Sequence, residues 1–170
     1  MRNNMTGITL LAVAAALACG GSSTTGGGTC TITTSGGQTG TWDCGVFAAA
    51  WSSSSNQGAF SAGATDAAHD LVSVAMGISG QPHAGTFKFS DAGAVGGISV
   101  TANGNSSSWF AGHNSSTDSQ GDYTLTITSL SETVSNSGGK AYRVGGTLDA
   151  TLPALSGSSA TGTVTLHATF

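Results

Sequence analysis

The sequence predicts an all-β protein, an antiparallel β-sandwich of about 8–9 strands. Three observations carry this reading. Apolar residues recur with period two over most of the chain. Clusters of Gly, Ser and Asn punctuate the alternation at short intervals. The face opposite the apolar one is Thr and Ser, and Thr combines β propensity with tolerance of water.

The first element is a hairpin. Cys30, Ile32 and Thr34 alternate with polar residues, Gly36-Gly37-Gln38 supply a turn, and Trp42 and Cys44 return. Folding about Gly37 sets Ile32 opposite Trp42 and Cys30 opposite Cys44. Directly opposed Cβ atoms lie ~4.5–5.5 Å apart, near disulfide range. A disulfide between Cys30 and Cys44 is therefore expected in an oxidising compartment. A redox or metal pair fits less well, because the spacing is not CxxC and no His adjoins either thiol.

The strands then follow in order. Val72, Val74, Met76 and Ile78 share a face. Phe87 and Phe89 alternate with Thr86, Lys88 and Ser90, and Ile98, Val100 and Ala102 repeat the pattern. Tyr123, Leu125 and Ile127 oppose Thr124, Thr126 and Thr128. Tyr142, Val144, Leu148 and Ala150 form a longer run, and Val164, Leu166, Ala168 and Phe170 form the last. Turns are expected at Ser79-Gly80-Gln81-Pro82, Asn103-Gly104-Asn105, Ser119-Gln120-Gly121-Asp122, Asn136-Ser137-Gly138-Gly139 and Ser156-Gly157-Ser158. Thr65 to Leu71 admits a helical turn capped by Thr65 or Asp66.

Composition narrows the function. Only 7% of residues are charged, against ~25% in an average chain. The net charge is −4. Beyond Arg2 the cations are Lys88, Lys140 and Arg143, too few to track a phosphate backbone, so nucleic acid is an unsuitable partner. A polybasic membrane-surface patch is excluded on the same ground.

The N-terminus reads as an address. Arg2 precedes an apolar run from Gly7 to Ala18. That run is short of the ~20 residues a spanning helix needs and matches a secretory h-region. It ends in small residues followed at once by Cys19 and a Gly/Ser/Thr tether. Ala16-Leu17-Ala18-Cys19 resembles the lipobox of bacterial lipoproteins, with Ala16 where a larger aliphatic residue is usual. The resemblance implies cleavage before Cys19, a diacylglyceryl group on its sulfur and an acyl chain such as palmitate on its new amino group. More than one chain is needed because a single acyl chain anchors only marginally. Gly20 after the Cys implies sorting to the outer membrane under the family's rule. The expected organisation is a signal peptide over 1–18, a lipidated Cys and flexible tether over 19–28, and a β-sandwich domain over 29–170. The C-terminal half, from Gly121-Asp122-Tyr123 through Val144-Gly145-Gly146-Thr147-Leu148 to Gly162-Thr163-Val164, resembles small β-sandwich lipoproteins of unknown function.

No catalytic constellation stands out, and a non-enzymatic module without a cofactor is expected. His69, His83, His113 and His167 show no metal-ligand spacing among themselves. His69, Asp70 and Asp66 form one small polar set, and His113, Asp118 and Asp122 another. Asn114, Asp118 and Asp122 are oxygen donors in one loop, the chemistry of a calcium site, but without the DxDxDG spacing. No GxSxG occurs, and no carboxylates are evidently paired for glycoside hydrolysis. Trp51, Trp109 and Phe110 lie near Ser, Asn and Gln, so Trp51 and Trp109 are candidates for stacking on a sugar ring, against the commoner fate of Trp in a core. The alternating terminal strand ending in Phe170 also fits a small outer-membrane β-barrel, although aromatics at 6% are sparse for two interfacial girdles. The expected partners are a membrane through the anchor and a glycan or envelope protein.

Overall fold

The structure, a computed structural model, describes residues 29–65, 70–91, 95–113 and 119–170. It is all-β and antiparallel throughout. The strands are β1 (Cys30–Gly36), β2 (Gly40–Gly45), β3 (Ala48–Ser52), β4 (Gln57–Thr65), β5 (Leu71–Ser79), β6 (Gly85–Lys88), β7 (Val95–Ala102), β8 (Ser107–His113), β9 (Ser119–Gln120), β10 (Asp122–Asn136), β11 (Gly139–Pro153) and β12 (Thr163–Thr169). Among the described residues there are twelve strands, more than the expected 8–9. The additions are β3, β4, β8 and β9. In β3 and β4, Ala and Gly dominate, residues of low β propensity that β5 and β11 on either side hold extended.

The sheet order is β2-β1-β12-β11-β3-β4-β5-β7-β8-β9, with β10 on the other edge of β11 and β6 beyond it. The long β11 organises this arrangement. Its residues Thr147–Pro153 pair with β12 and its residues Gly139–Arg143 pair with β3, on the same edge. Its other edge is held by β10 along almost its whole length. Two wings, a first of β12, β1 and β2 and a second of β3, β4, β5, β7, β8 and β9, thus diverge from one ribbon and enclose the core. At the far side they touch: Trp109 of β8 bridges to Ala154, and the Leu155 amide donates to the Ser108 carbonyl at 2.8 Å. Among the described residues the sheet does not close, since β2, β6 and β9 each have a single partner strand. A spanning barrel requires closure.

The divergence has a built joint. Between Arg143 and Thr147 the partner of β11 changes. There the Val144 amide donates to the Phe47 carbonyl at 3.2 Å, and Gly146 exchanges two backbone bonds with Phe170, at 2.7 and 3.1 Å. The rings of Phe47 and Phe170 stack in the fork, centroids 3.9 Å apart and 13° between planes. Opposite, β10 bulges between Ile127 and Ser129, the device that bends a ribbon. Gly146 is required there, because a Cβ would lie 2.0 Å from the Thr126 carbonyl oxygen.

The predicted alternation holds. Val72, Val74, Met76, Ile98, Val100, Ala102, Tyr123, Leu125, Ile127, Leu148, Ala150, Val164, Leu166 and Ala168 are all buried. The hairpin turns about Gly37 as expected, with Ile32 opposite Trp42. One register detail differs. Cys30 pairs with Gly45, not Cys44, because the register shifts between Cys30 and Thr31 and Cys44 becomes the extra residue. The bulge brings the two side chains together: Cys30 and Cys44 are disulfide-bonded, Cα atoms 5.0 Å apart. The helical turn expected within Thr65 to Leu71 falls on 66–69, outside the described residues; Thr65 closes β4 and Leu71 opens β5.

Candidate functional site

Strand alternation selects one end of the second wing. Trp51 shares its face with the buried Ala49, two residues earlier on β3. Its cross-strand neighbours are Lys140 of β11 and Gly58 of β4. Ser135 adjoins Lys140, and one row inward Glu132, Tyr142, Ala49 and Phe60 follow in register. This row is overhung by the segment after β5, where buried Pro82 lies over Gly58 and Gln81 Nε2 donates to the Tyr142 hydroxyl at 2.5 Å. Phe87 completes the cover, 5.3 Å from Phe60 and 5.2 Å from the His83 ring, centroid to centroid.

Trp51 is consequently packed on the core with its outer part in water. Its indole Nε1 donates to Asn56 Oδ1 at 3.3 Å. Beside it Lys140 Nζ pairs with Glu132 Oε2 at 2.9 Å. This pair holds the Glu132 carboxyl below the usual glutamate range through the lysine hydrogen bond, and raises Lys140 above the usual lysine range through the same bond. A partly exposed indole bonded to an amide and paired in register with a lysine that bridges a carboxylate can stack on a flat apolar face and bond to hydroxyls around it.

No family model, curated protein or solved structure matches the chain.

The other Trp candidate has a structural role. Trp109 is 3% exposed and donates Nε1 to the Thr161 carbonyl at 3.3 Å. Trp42, which the sequence places on the inner face, is likewise buried.

At the opposite end a polar clasp joins four loops. Gln38 Nε2 donates to Asp70 Oδ2 at 2.9 Å, and the Asn103 amide donates to Asp70 Oδ1 at 3.1 Å. Asn103 Nδ2 donates to Ser107 Oγ at 3.3 Å, and Ser107 and Ser159 share a hydroxyl contact at 3.4 Å. Ser159 Oγ closes on the Ser106 carbonyl at 2.7 Å. In the sequence Asp70 stands out only through its grouping with His69 and Asp66. Its structural bonds span residues far apart in the chain, and no local pattern reveals them.

The remaining candidates are dispersed. Asn114, Asp118, His69, Asp66 and Cys19 lie outside the described residues. Asp122 opens β10, exposed, opposite Thr151. His167 faces outward as its alternation requires, with Nδ1 2.7 Å from Asp149 Oδ1 on the neighbouring strand, both exposed. Among the described residues no three His, Cys, Asp or Glu side chains converge as metal ligands.

Proposed function

We propose that this chain is an exported bacterial lipoprotein. Its leader is removed, Cys19 is acylated, and residues 20–28 tether a non-enzymatic β domain to the cell envelope, at the outer membrane. The observation that carries the reading is the Cys30–Cys44 disulfide, its two cysteines 0% and 7% exposed. Disulfides persist where thiols are not kept reduced, so the bridge argues for a destination outside the cytoplasm. The apolar run ending at Cys19 supplies the route and the anchor. The test is intact mass with membrane fractionation after expression in a Gram-negative host. The wild type is expected at the mass of a chain starting at Cys19 plus diacylglyceryl and acyl groups, in the membrane fraction. Cys19→Ser is expected unlipidated. A soluble, unmodified wild type overturns the anchor.

A second reading, a glycan-binding module, rests on Trp51. The ring is partly exposed beside Asn56, Lys140 and Glu132, the mixture of apolar face and polar rim that suits a sugar. Chito-oligosaccharides titrated against intrinsic fluorescence are expected to produce a saturable change that Trp51→Ala abolishes. A response unchanged in the variant places any binding elsewhere.

A further inference from the structure

The turn between β7 and β8 carries Asn103-Gly104, the single Asn-Gly step in the sequence. Asn103, Gly104 and Asn105 all have positive φ, at 53°, 64° and 69°. The four turn residues 103–106 are exposed, and nothing lies within 4 Å of where a Gly104 Cβ would be. The carbonyl oxygen of Asn103, part of the peptide bond to Gly104, accepts from Ser106 Oγ at 2.8 Å and from the Ser106 amide at 3.4 Å. Donors on that oxygen favour the imidate that forms when the Gly104 nitrogen gives up its proton.

We propose that Asn103-Gly104 is a self-modification site whose reaction rewrites the polar clasp. The deprotonated Gly104 nitrogen attacks Asn103 Cγ. An N–Cγ bond forms, the Cγ–Nδ2 bond breaks, and ammonia leaves, carrying the proton that Gly104 gave up. The product is a five-membered succinimide. Water then adds to one of its two carbonyls and opens the ring, to aspartate or to isoaspartate. No oxidant or cofactor enters. Two features of the site permit the rotation that brings nitrogen under Cγ: Gly104 has no side chain, and no atom packs against it.

The site sits at the clasp, which gives the reaction a consequence. Asn103 supplies two of the clasp's bonds, its backbone amide to Asp70 and its Nδ2 to Ser107. Conversion replaces the Nδ2 donor with an acceptor-only carboxylate next to Asp70's partner amide. The isoaspartyl product also lengthens the backbone by one methylene within a turn that Ala102–Ser107 pairing closes. Both products loosen the end where Gln38, Asp70, Asn103 and Ser159 tie the wings together.

The experiment incubates the folded protein in mildly alkaline and mildly acidic buffer and follows each asparagine by peptide mass and isoaspartate assay. Expected is the mass gain of NH exchanged for O at Asn103, at least an order of magnitude faster than at Asn56, Asn105 or Asn136, and faster in alkali. Gly104→Ala is expected to suppress it. Ser106→Ala, which leaves the Asn-Gly step intact, is expected to slow it severalfold, and Asn103→Asp to lower the melting temperature. If the folded protein is inert at Asn103 while a synthetic peptide spanning 100–107 converts, the fold protects the turn and the proposal fails. A Ser106→Ala rate equal to wild type overturns the activating role given to that carbonyl.

Discussion

Phe47 and Phe170 stack at 3.9 Å in the fork where β11 passes from one partner strand to the other. The contact joins residues from opposite ends of the domain. It fills the gap left where neither β3 nor β12 covers β11, so the two wings keep a fixed angle.

Phe170→Ala is expected to cost about 2 kcal/mol, below the 3–5 of a fully buried Phe because Phe170 keeps some exposure. Urea unfolding should show it as a lower midpoint with the slope preserved. An unchanged midpoint assigns the joint to backbone bonds alone.

At the same joint the backbone leaves no room for a side chain. Gly146→Ala would set a Cβ 2.0 Å from the Thr126 carbonyl oxygen, on a neighbouring strand that cannot give way. A loss of roughly 3 kcal/mol is expected. Gly63→Ala is the control, since its nearest neighbour would be the Val72 oxygen at 3.7 Å, and it should be neutral or slightly stabilising. Equal melting temperatures for the two variants would contradict the close approach.

The Cys30–Cys44 bridge closes a separation of 14 residues. Replacing both cysteines by Ala should remove about 3 kcal/mol in the chain-entropy account. Calorimetry of the variant against the oxidised wild type checks this. A difference near zero would mean that the hairpin is already ordered in the denatured chain.

Asp70→Ala removes the acceptor shared by Gln38 and the Asn103 amide. Bonds to a charged acceptor contribute ~1.5–3 kcal/mol when shielded, and these are partly wet, so a loss of about 1–2 kcal/mol is expected. Hydrogen exchange should rise at the amides of Asn103 and Leu155 and stay unchanged at Val144. A rise spread evenly over the chain would mean that the clasp is not a local device.

Glu132 and Lys140 give a pH signature with a definite sign. Glu132 is held low by the lysine, so its contribution is present above the unfolded glutamate value and disappears as pH falls through its folded value. Lys140 is held high, so its contribution is present below the unfolded lysine value and fades as pH rises through its folded value. The pair is exposed, and salt should move both values back toward ordinary. Carboxyl titration by NMR, with and without salt, reads this directly. A salt-insensitive Glu132 rules out the pairing.

How much of this was legible in the sequence follows from what holds each element. The inner faces of β5, β7, β10, β11 and β12 were readable because β-branched and large apolar residues alternate there with Thr and Ser. The strands β3 and β4 were not, because Ala48-Ala49-Ala50 and Gly58-Ala59 are extended only by virtue of their neighbours. The disulfide was readable from hairpin geometry, but the bulge that places Cys44 was not, since it depends on how Gly45 meets Cys30. Trp51 and Trp109 looked alike in sequence. What separates them is their surroundings in the fold: Trp109 lies against Gly37 of the β1–β2 turn and donates to the Thr161 carbonyl, whereas Trp51 keeps part of its ring exposed and bonds to nearby Asn56.

The bulges of β10 have an effect beyond bending the ribbon. Among the described residues, Ser129–Asn136 pairs with β11 alone, leaving a long outer edge of exposed backbone groups. Such an edge invites a strand from another molecule. Here the register breaks at Ile127/Ser129 and again at Glu132/Val134, so an incoming strand meets no uninterrupted ladder, and Glu132 sets a charge beside the exposed Val134. Along this stretch of β10, extension of the sheet by a strand from another molecule is therefore disfavoured.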